Sequence, residues 1–170
     1  MKTLTNTTKS AYELVNMIVE KNITPVFDMD GVFIDATHRQ ICNPDGSLNL
    51  AKYREMSTAE HISKDKELPL ILALQILNDL GVEYHICTAR VLCENTRSWL
   101  DQRGIKASVY MGRDGENDTR RDYQLKAQKL SSLFTAEQRV NMMLIDDNVN
   151  NCKAALEIGL QAVNVPFYGH

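Results

Sequence analysis

Carboxylates, cations and a hydroxyl recur in this chain at the ends of short apolar runs. Asp28-Met29-Asp30-Gly31 follows Val26-Phe27, Thr88-Ala89-Arg90 follows Ile86-Cys87, Gly112-Arg113 follows Tyr110-Met111, and Asp146-Asp147 follows Leu144-Ile145. If these runs are parallel strands of one sheet, their carboxyl ends meet in one patch, where α/β proteins bind ligands. Asp28, Asp30, Asp146 and Asp147 would repel one another there, and a bound divalent cation relieves the repulsion. An all-oxygen donor set suits Mg²⁺, Ca²⁺ or Mn²⁺, and Mg²⁺ commonly completes its shell with water and substrate phosphate. Thr88, Arg90, Arg113 and Lys126 add a hydroxyl donor and cations suited to the equatorial oxygens of a phosphoryl group. Metal, phosphate cradle and spare carboxylates together are the parts for phosphoryl transfer. Of two carboxylates at i and i+2, one can attack phosphorus, and the other can protonate the leaving alkoxide and later deprotonate water. Gly31 lets the chain turn sharply beside them.

Each piece has a blander reading by itself. Asp-x-Asp-Gly also fits an Asx turn, Asp146-Asp147 can simply turn the chain, Lys126 fits a solvated helix face, and Arg90 could pair with a surface carboxylate. An EF-hand is excluded, because the fifth and sixth positions counted from Asp28 are Val32 and Phe33. The ordered recurrence of the whole set is what points to chemistry.

Those residues need elements to carry them. Apolar spacing predicts helices over 11–21, 67–80, 92–102, 122–133 and 151–158, the first after the cap-rich Thr7-Thr8-Lys9-Ser10. Short β-branched runs predict strands over 23–27, 82–87, 107–111, 140–145 and 162–165. Their alternation predicts an α/β fold with a parallel sheet of about five strands and helices on both faces. Residues 35–66 fit less well, being polar, with a turn signal at Asn43-Pro44-Asp45-Gly46 and a weak helical pattern near 50–56. A stretch of that length is a lid, a binding loop or a plain surface excursion.

The bulk properties narrow the class. At 170 residues one domain is expected, and with 44% apolar and 24% charged residues the chain is neither disordered nor fibrous. A net charge of −3 excludes a protein that coats nucleic acid, although contact with a strand end remains open. Cys42, Cys87, Cys93 and Cys152 have no paired spacing and read as reduced thiols. With no leader-like N-terminus and no long apolar run, a soluble cytoplasmic protein with no membrane partner is expected. His38, His61, His85 and His170 show no ligand spacing; His38, beside Arg39, either touches substrate or is a plain loop residue. Tyr53, Tyr84, Tyr110 and Tyr123 are candidates for stacking on a base.

Asp28-Met29-Asp30-Gly31-Val32, Thr88, Lys126 and Asp146-Asp147 resemble the four successive motifs of the haloacid dehalogenase superfamily of phosphatases. The resemblance implies a Rossmann-like sheet with a minimal cap, Asp28 as nucleophile, Asp30 as acid/base, and Thr88 and Lys126 on the phosphoryl group. It also implies Mg²⁺ held by Asp28, Asp146 and the main-chain carbonyl of Asp30, with Asp147 beside them. From about residue 23 onward the chain is further similar to the 3′-phosphatase domain of bacteriophage-type polynucleotide kinase–phosphatases. Arg39, Thr88-Ala89-Arg90, Trp99 and Asn117-Asp118-Thr119-Arg120-Arg121-Asp122 with Lys126 four residues on carry that similarity. It implies that Arg39, Arg90, Arg113, Asp122 and Lys126 belong to the active site. Asp122 and Lys126 share a helix face, so one can orient the other. Residues 35–66 are longer than the family's segment, Arg113 aligns only across a one-residue gap, and no G-x-x-x-x-G-K-[ST] occurs, so a kinase half is not expected.

These readings converge on a Mg²⁺-dependent phosphomonoesterase working through an aspartyl-phosphate. A 3′-phosphorylated nucleic-acid end is the first expected substrate and a free nucleoside monophosphate the second, in the cytoplasm, or that of the host if the gene is phage-borne. A phospho-acceptor receiver module would carry its acidic pair after the first strand; here the pair follows the fourth, which argues against it.

Overall fold

The computed structural model describes residues 5–6, 10–46 and 48–165, so Thr7, Thr8, Lys9 and His170 lie outside the described residues. Ser10 opens α1 (Ala11–Glu20) through a capping box with Glu13, and Leu14, Val15 and Ile18 form its buried stripe. The sheet strands are β1 (Thr5–Asn6), β2 (Thr24–Phe27), β5 (His85–Val91), β6 (Val109–Arg113), β7 (Met142–Asp146) and β8 (Gln161–Asn164). A separate antiparallel pair joins β3 (Ile34–Asp35) to β4 (Lys66–Glu67). The other helices are α2 (Leu50–Glu55), α3 (Ala59–Ile62), α4 (Ile71–Asp79), α5 (Glu94–Gln102), α6 (Asp122–Leu133), α7 (Ala136–Val140) and α8 (Val149–Glu157).

The sheet order is β1-β8-β7-β2-β5-β6, with every pair parallel. This is the expected α/β sheet with one addition, the two-residue β1 at its edge. From β2 the chain winds to β5 and β6 on one side, then returns to β7 and β8 on the other. The carboxyl end of β2 is therefore a topological switch point, where open α/β sheets form their crevice. One core cluster packs α1, α4 and α5 against one face of the sheet, and a second packs α6 and α8 against the other.

Several expected boundaries move. The helix expected over 67–80 begins only at Ile71, because Pro69 biases Leu68 away from helical geometry, and Lys66–Glu67 pairs with β3 instead. The strand expected over 140–145 loses Val140 to α7, opened by a Thr135/Gln138 capping box. The strand expected over 82–87 runs instead through Thr88 and Arg90 as β5, with an irregular register against β6 between Cys87 and Val91. Gly112 permits that approach, since a Cβ there would lie 2.7 Å from the Arg90 carbonyl oxygen. All four cysteines are free. Among the described residues, no helix is long and apolar enough to cross a membrane.

Candidate active site

At the end of β2 the backbone turns back on itself. Gly31 takes φ +75°, in the left-handed region that a side chain disfavours, and its N–H donates to Ile34 O at 2.9 Å. That turn leaves Asp28 between β7 and β5 with Asp30 two residues beyond. A cavity of about 350 Å³ opens there, lined among others by Asp28, Asp30, Arg39, Thr88, Arg90, Arg113, Asp122 and Asp147. Lys126 and Asp146 lie directly behind its floor, with side chains 2% and 0% exposed. The strand ends and the loops after them thus bring all ten sequence-derived candidates to one place.

Their pairing differs from the expectation. Lys126 Nζ lies 2.6 Å from Asp146 Oδ2 and 2.9 Å from Asp28 Oδ1, so these two carboxylates orient it, not Asp122. Asp122 instead accepts from Arg113 Nη2 at 2.7 Å, and Arg113 Nη1 donates to the carbonyls of Asp118 and Arg120, bracing the 113–122 loop. Asp146 also accepts from Asn151 Nδ2 and from the Asn148 amide. Thr88 Oγ1 accepts from the Arg90 amide at 3.2 Å, which leaves its hydroxyl proton free to donate into the cavity.

Asp28, Asp146 and Asp147 each place a carboxylate oxygen within 4.8 Å of the others. Burial, opposed by Lys126 and reinforced by Asp146, holds the Asp28 carboxyl well above its usual range. Burial and Asp146 push Asp147 up to about 7. Three carboxylates and one ammonium leave two negative charges if all ionise, which matches a divalent cation. Asn151 Oδ1, buried beside this cluster without a hydrogen-bond partner, adds an unused acceptor. The donor set therefore fits a hard cation. The Asp30 side chain stands apart from the cluster: its carboxylate takes Arg90 Nε at 2.8 Å and Nη2 at 2.5 Å. Burial raises the Asp30 pKa, but the Arg90 charge and hydrogen bonds outweigh it and hold the group below the usual range.

Described residues of the 35–66 segment form another wall of the cavity. Arg39, in the short 3₁₀ turn Thr37–Arg39, is buried, paired with Asp65 through Nε and Nη2, and stacked 4.7 Å over the Tyr53 ring. Leu48, Leu50, Tyr53 and Arg54 line the cavity beside it. Tyr53 Oη and Arg54 Nη2 are buried and lack partners. Burial pushes the Tyr53 phenol up to about 12, so it faces the cavity as a neutral donor. Asp65, Arg54, Asn151 and Ser57 carried no signal in the sequence, because each sits in a segment without a motif. Tyr84 and Tyr110 use their hydroxyls on the amides of Lys106 and Ala107, which makes them structural. His38 donates to the His61 carbonyl, outside the cavity lining.

The sequence profile of the family described as Bacteriophage T5 5′-deoxynucleotidase matches residues 16–167. The 5′-deoxynucleotidase of Escherichia phage T5 is 26% identical over 165 residues, covering 82% of this chain and 65% of that protein. This chain thus spans slightly less than two thirds of that relative's length. Among solved structures, the Pnkp1/Rnl/Hen1 complex matches with a TM-score of 0.63 at 19% identity, over 85% of this chain and 46% of that one. A haloacid dehalogenase-like family hydrolase from Streptococcus pneumoniae matches with a TM-score of 0.61 at 15% identity, over 84% of this chain and 83% of that one. At these identities the two structures establish a shared haloacid dehalogenase-like fold.

Proposed function

The chain belongs to the bacteriophage T5 5′-deoxynucleotidase family, and from that premise we propose that it is a metal-dependent phosphatase of deoxynucleoside 5′-monophosphates. This reverses the order of the two expected substrates. The carrying observation is the cavity itself. At about 350 Å³ it sits at the small end of small-molecule sites, which span roughly 300–1,000 Å³. Acids line one side and the Leu48–Leu50–Tyr53 wall the other, an arrangement that suits one nucleotide. An extended strand calls for a basic groove with several stacking aromatics, and of the four candidate tyrosines only Tyr53 lines the cavity.

In this reading Asp28 attacks phosphorus, the bond to the nucleoside 5′-oxygen breaks, and that oxygen leaves with its electron pair and a proton from Asp30. Arg90 keeps Asp30 ionised at rest, so the proton enters on the substrate phosphate, whose second ionisation lies at about 6, and passes to Asp30 before it reaches the leaving oxygen. Asp30 then takes a proton from water, the water oxygen attacks phosphorus, the bond from phosphorus to Asp28 breaks to free its carboxylate, and the departing inorganic phosphate carries away the proton from Asp30. Lys126, fixed by Asp146, stays charged beside Asp28 and draws on the phosphoryl oxygens, as does the Thr88 hydroxyl. A Mg²⁺ ion held by Asp28, Asp146 and Asp147 would supply charge that offsets their repulsion and that of the phosphoryl group.

Two expected results follow for the substrate and the metal. Initial-rate kinetics should give deoxynucleoside 5′-monophosphates a kcat/KM at least about 10-fold above that of a 3′-phosphorylated oligonucleotide, a margin within the reach of pocket contacts. An oligonucleotide preferred over every mononucleotide would restore the 3′-phosphatase reading. Asp147→Asn should weaken Mg²⁺ binding by at least about 10-fold, the scale for a disturbed metal shell, read by isothermal titration calorimetry without substrate. Unchanged affinity would remove Asp147 from the metal site.

A further inference from the structure

Behind the acid/base carboxylate lies a second layer of charge that the reaction scheme leaves unused. Asp65 closes the 35–66 segment just before β4, and its side chain is 0% exposed. Its Oδ1 accepts from Arg39 Nε at 2.8 Å, and its Oδ2 accepts from Arg39 Nη2 at 2.9 Å and Arg90 Nη2 at 3.1 Å. Arg90 turns its Nε and Nη2 onto the two oxygens of Asp30, a two-pronged grip that fixes the plane of that carboxylate. The Asp65 backbone is held as well, since Trp99 Nε1 on α5 donates to its carbonyl at 3.3 Å.

Asp30, Arg90, Asp65 and Arg39 form one connected network with no net charge. Burying such a network contributes little to stability, because the loss of hydration offsets the attraction between the charges. What it does supply is geometry: Arg90 is buried and reaches Asp30 from one direction only, and Asp65 sets that direction. Arg39, Arg90 and Arg113, the arginines expected at substrate phosphate, each pair with a carboxylate.

We propose that Asp65 is a positioning residue for the phosphatase reaction, which fixes Arg90 and through it aims the Asp30 carboxylate at the leaving oxygen. The proposal rests on Asp30 being the acid of the preceding section. It also gives residues 35–66 a part in the chemistry as well as in forming a wall.

The test is the rate of leaving-group release in a single turnover, with enzyme in excess and Mg²⁺ present. A deoxynucleoside 5′-monophosphate must receive a proton on its leaving oxygen, whereas p-nitrophenyl phosphate releases a stable phenolate that needs none. Asp65→Asn should slow nucleoside release by about 10- to 100-fold and nitrophenolate release by less than about 3-fold, the scale of a misplaced proton donor. An equal loss on both substrates, or a loss on neither, would overturn the proposal. Should Asp65→Asn fail to fold with Arg39 left uncompensated, the paired variant Arg39→Met/Asp65→Asn keeps the network neutral and is judged by the same ratio. Asp30→Asn serves as the reference. If it leaves the ratio of the two substrates unchanged, the acid assignment fails. If it shifts the ratio and the Asp65 variants do not, only the positioning role fails.

Discussion

Asp28→Asn is expected to yield a folded protein that has lost at least about 10⁴-fold in turnover of deoxynucleoside 5′-monophosphates, the scale on which removing a nucleophile acts. The amide keeps the shape of the carboxylate but has no charge with which to attack phosphorus. Two of the three carboxylates around it are engaged elsewhere: Asp146 is fully buried and bonded to Lys126, Asn148 and Asn151, and Asp30 is held by Arg90. Folding should survive. Asp28 is buried against Asp146 and Asp147, and its ionised form is the disfavoured one. Neutralising it removes repulsion, while Lys126 retains Asp146 at 2.6 Å. In the absence of metal the variant should therefore unfold thermally at the same temperature as the parent or higher. Stopped-assay phosphate release and a melting curve check the two halves. Turnover within tenfold of the parent would move the nucleophile to another carboxylate.

Asp30→Asn is expected to be the second largest loss, about 10²–10⁴-fold in kcat on a nucleotide, the usual contribution of general acid–base catalysis. The asparagine neither delivers a proton to the leaving oxygen nor accepts one from water. Because the second duty applies to every substrate, steady-state rates should fall for aryl esters too. The first turnover separates the duties: release of p-nitrophenolate should be nearly spared while release of a nucleoside is not. The substitution also leaves Arg90 with Asp65 as its remaining carboxylate, so some loss of stability is expected. That loss stays modest because the Asp30 side chain is 24% exposed and water can replace part of what is removed. Equal first-turnover losses on both esters would assign the acid elsewhere.

The candidate site is legible in the sequence wherever its residues close strands. Asp28, Thr88, Arg90, Arg113 and Asp146 sit at the ends of apolar runs, and in a parallel sheet position at the strand end is position in space. Lys126 reads from its chemistry as a cation for phosphate and Asp122 only from family likeness, and the structure pairs each with partners other than the one expected. The wall formed by residues 35–66 was not legible in the same way. Of its short helices, α2 matches the weak helical pattern near 50–56, whereas α3, opened by the Thr58 cap, is too brief for apolar periodicity to show. Asp65 lies between two lysines, where a solvated carboxylate would be expected, and only the paired β3 and β4 carry it inward. Similarly, Pro69 was visible, but the decision of Lys66–Glu67 to pair with Ile34–Asp35 depends on residues more than thirty positions away.

The sequence by itself determined the alternation of strand and helix, and which acids and cations close the strands and share one patch. Those features follow from local periodicity and from the two-fold and 3.6-fold repeats of the backbone. Only the tertiary structure decided who pairs with whom. A buried charge settles on whichever opposite charge shares its cavity, because an unpaired one in a low-dielectric interior is too costly to keep. Lys126 therefore went to Asp28 and Asp146, Asp122 to Arg113, and Arg90 and Arg39 to a buried Asp65 that no motif marks.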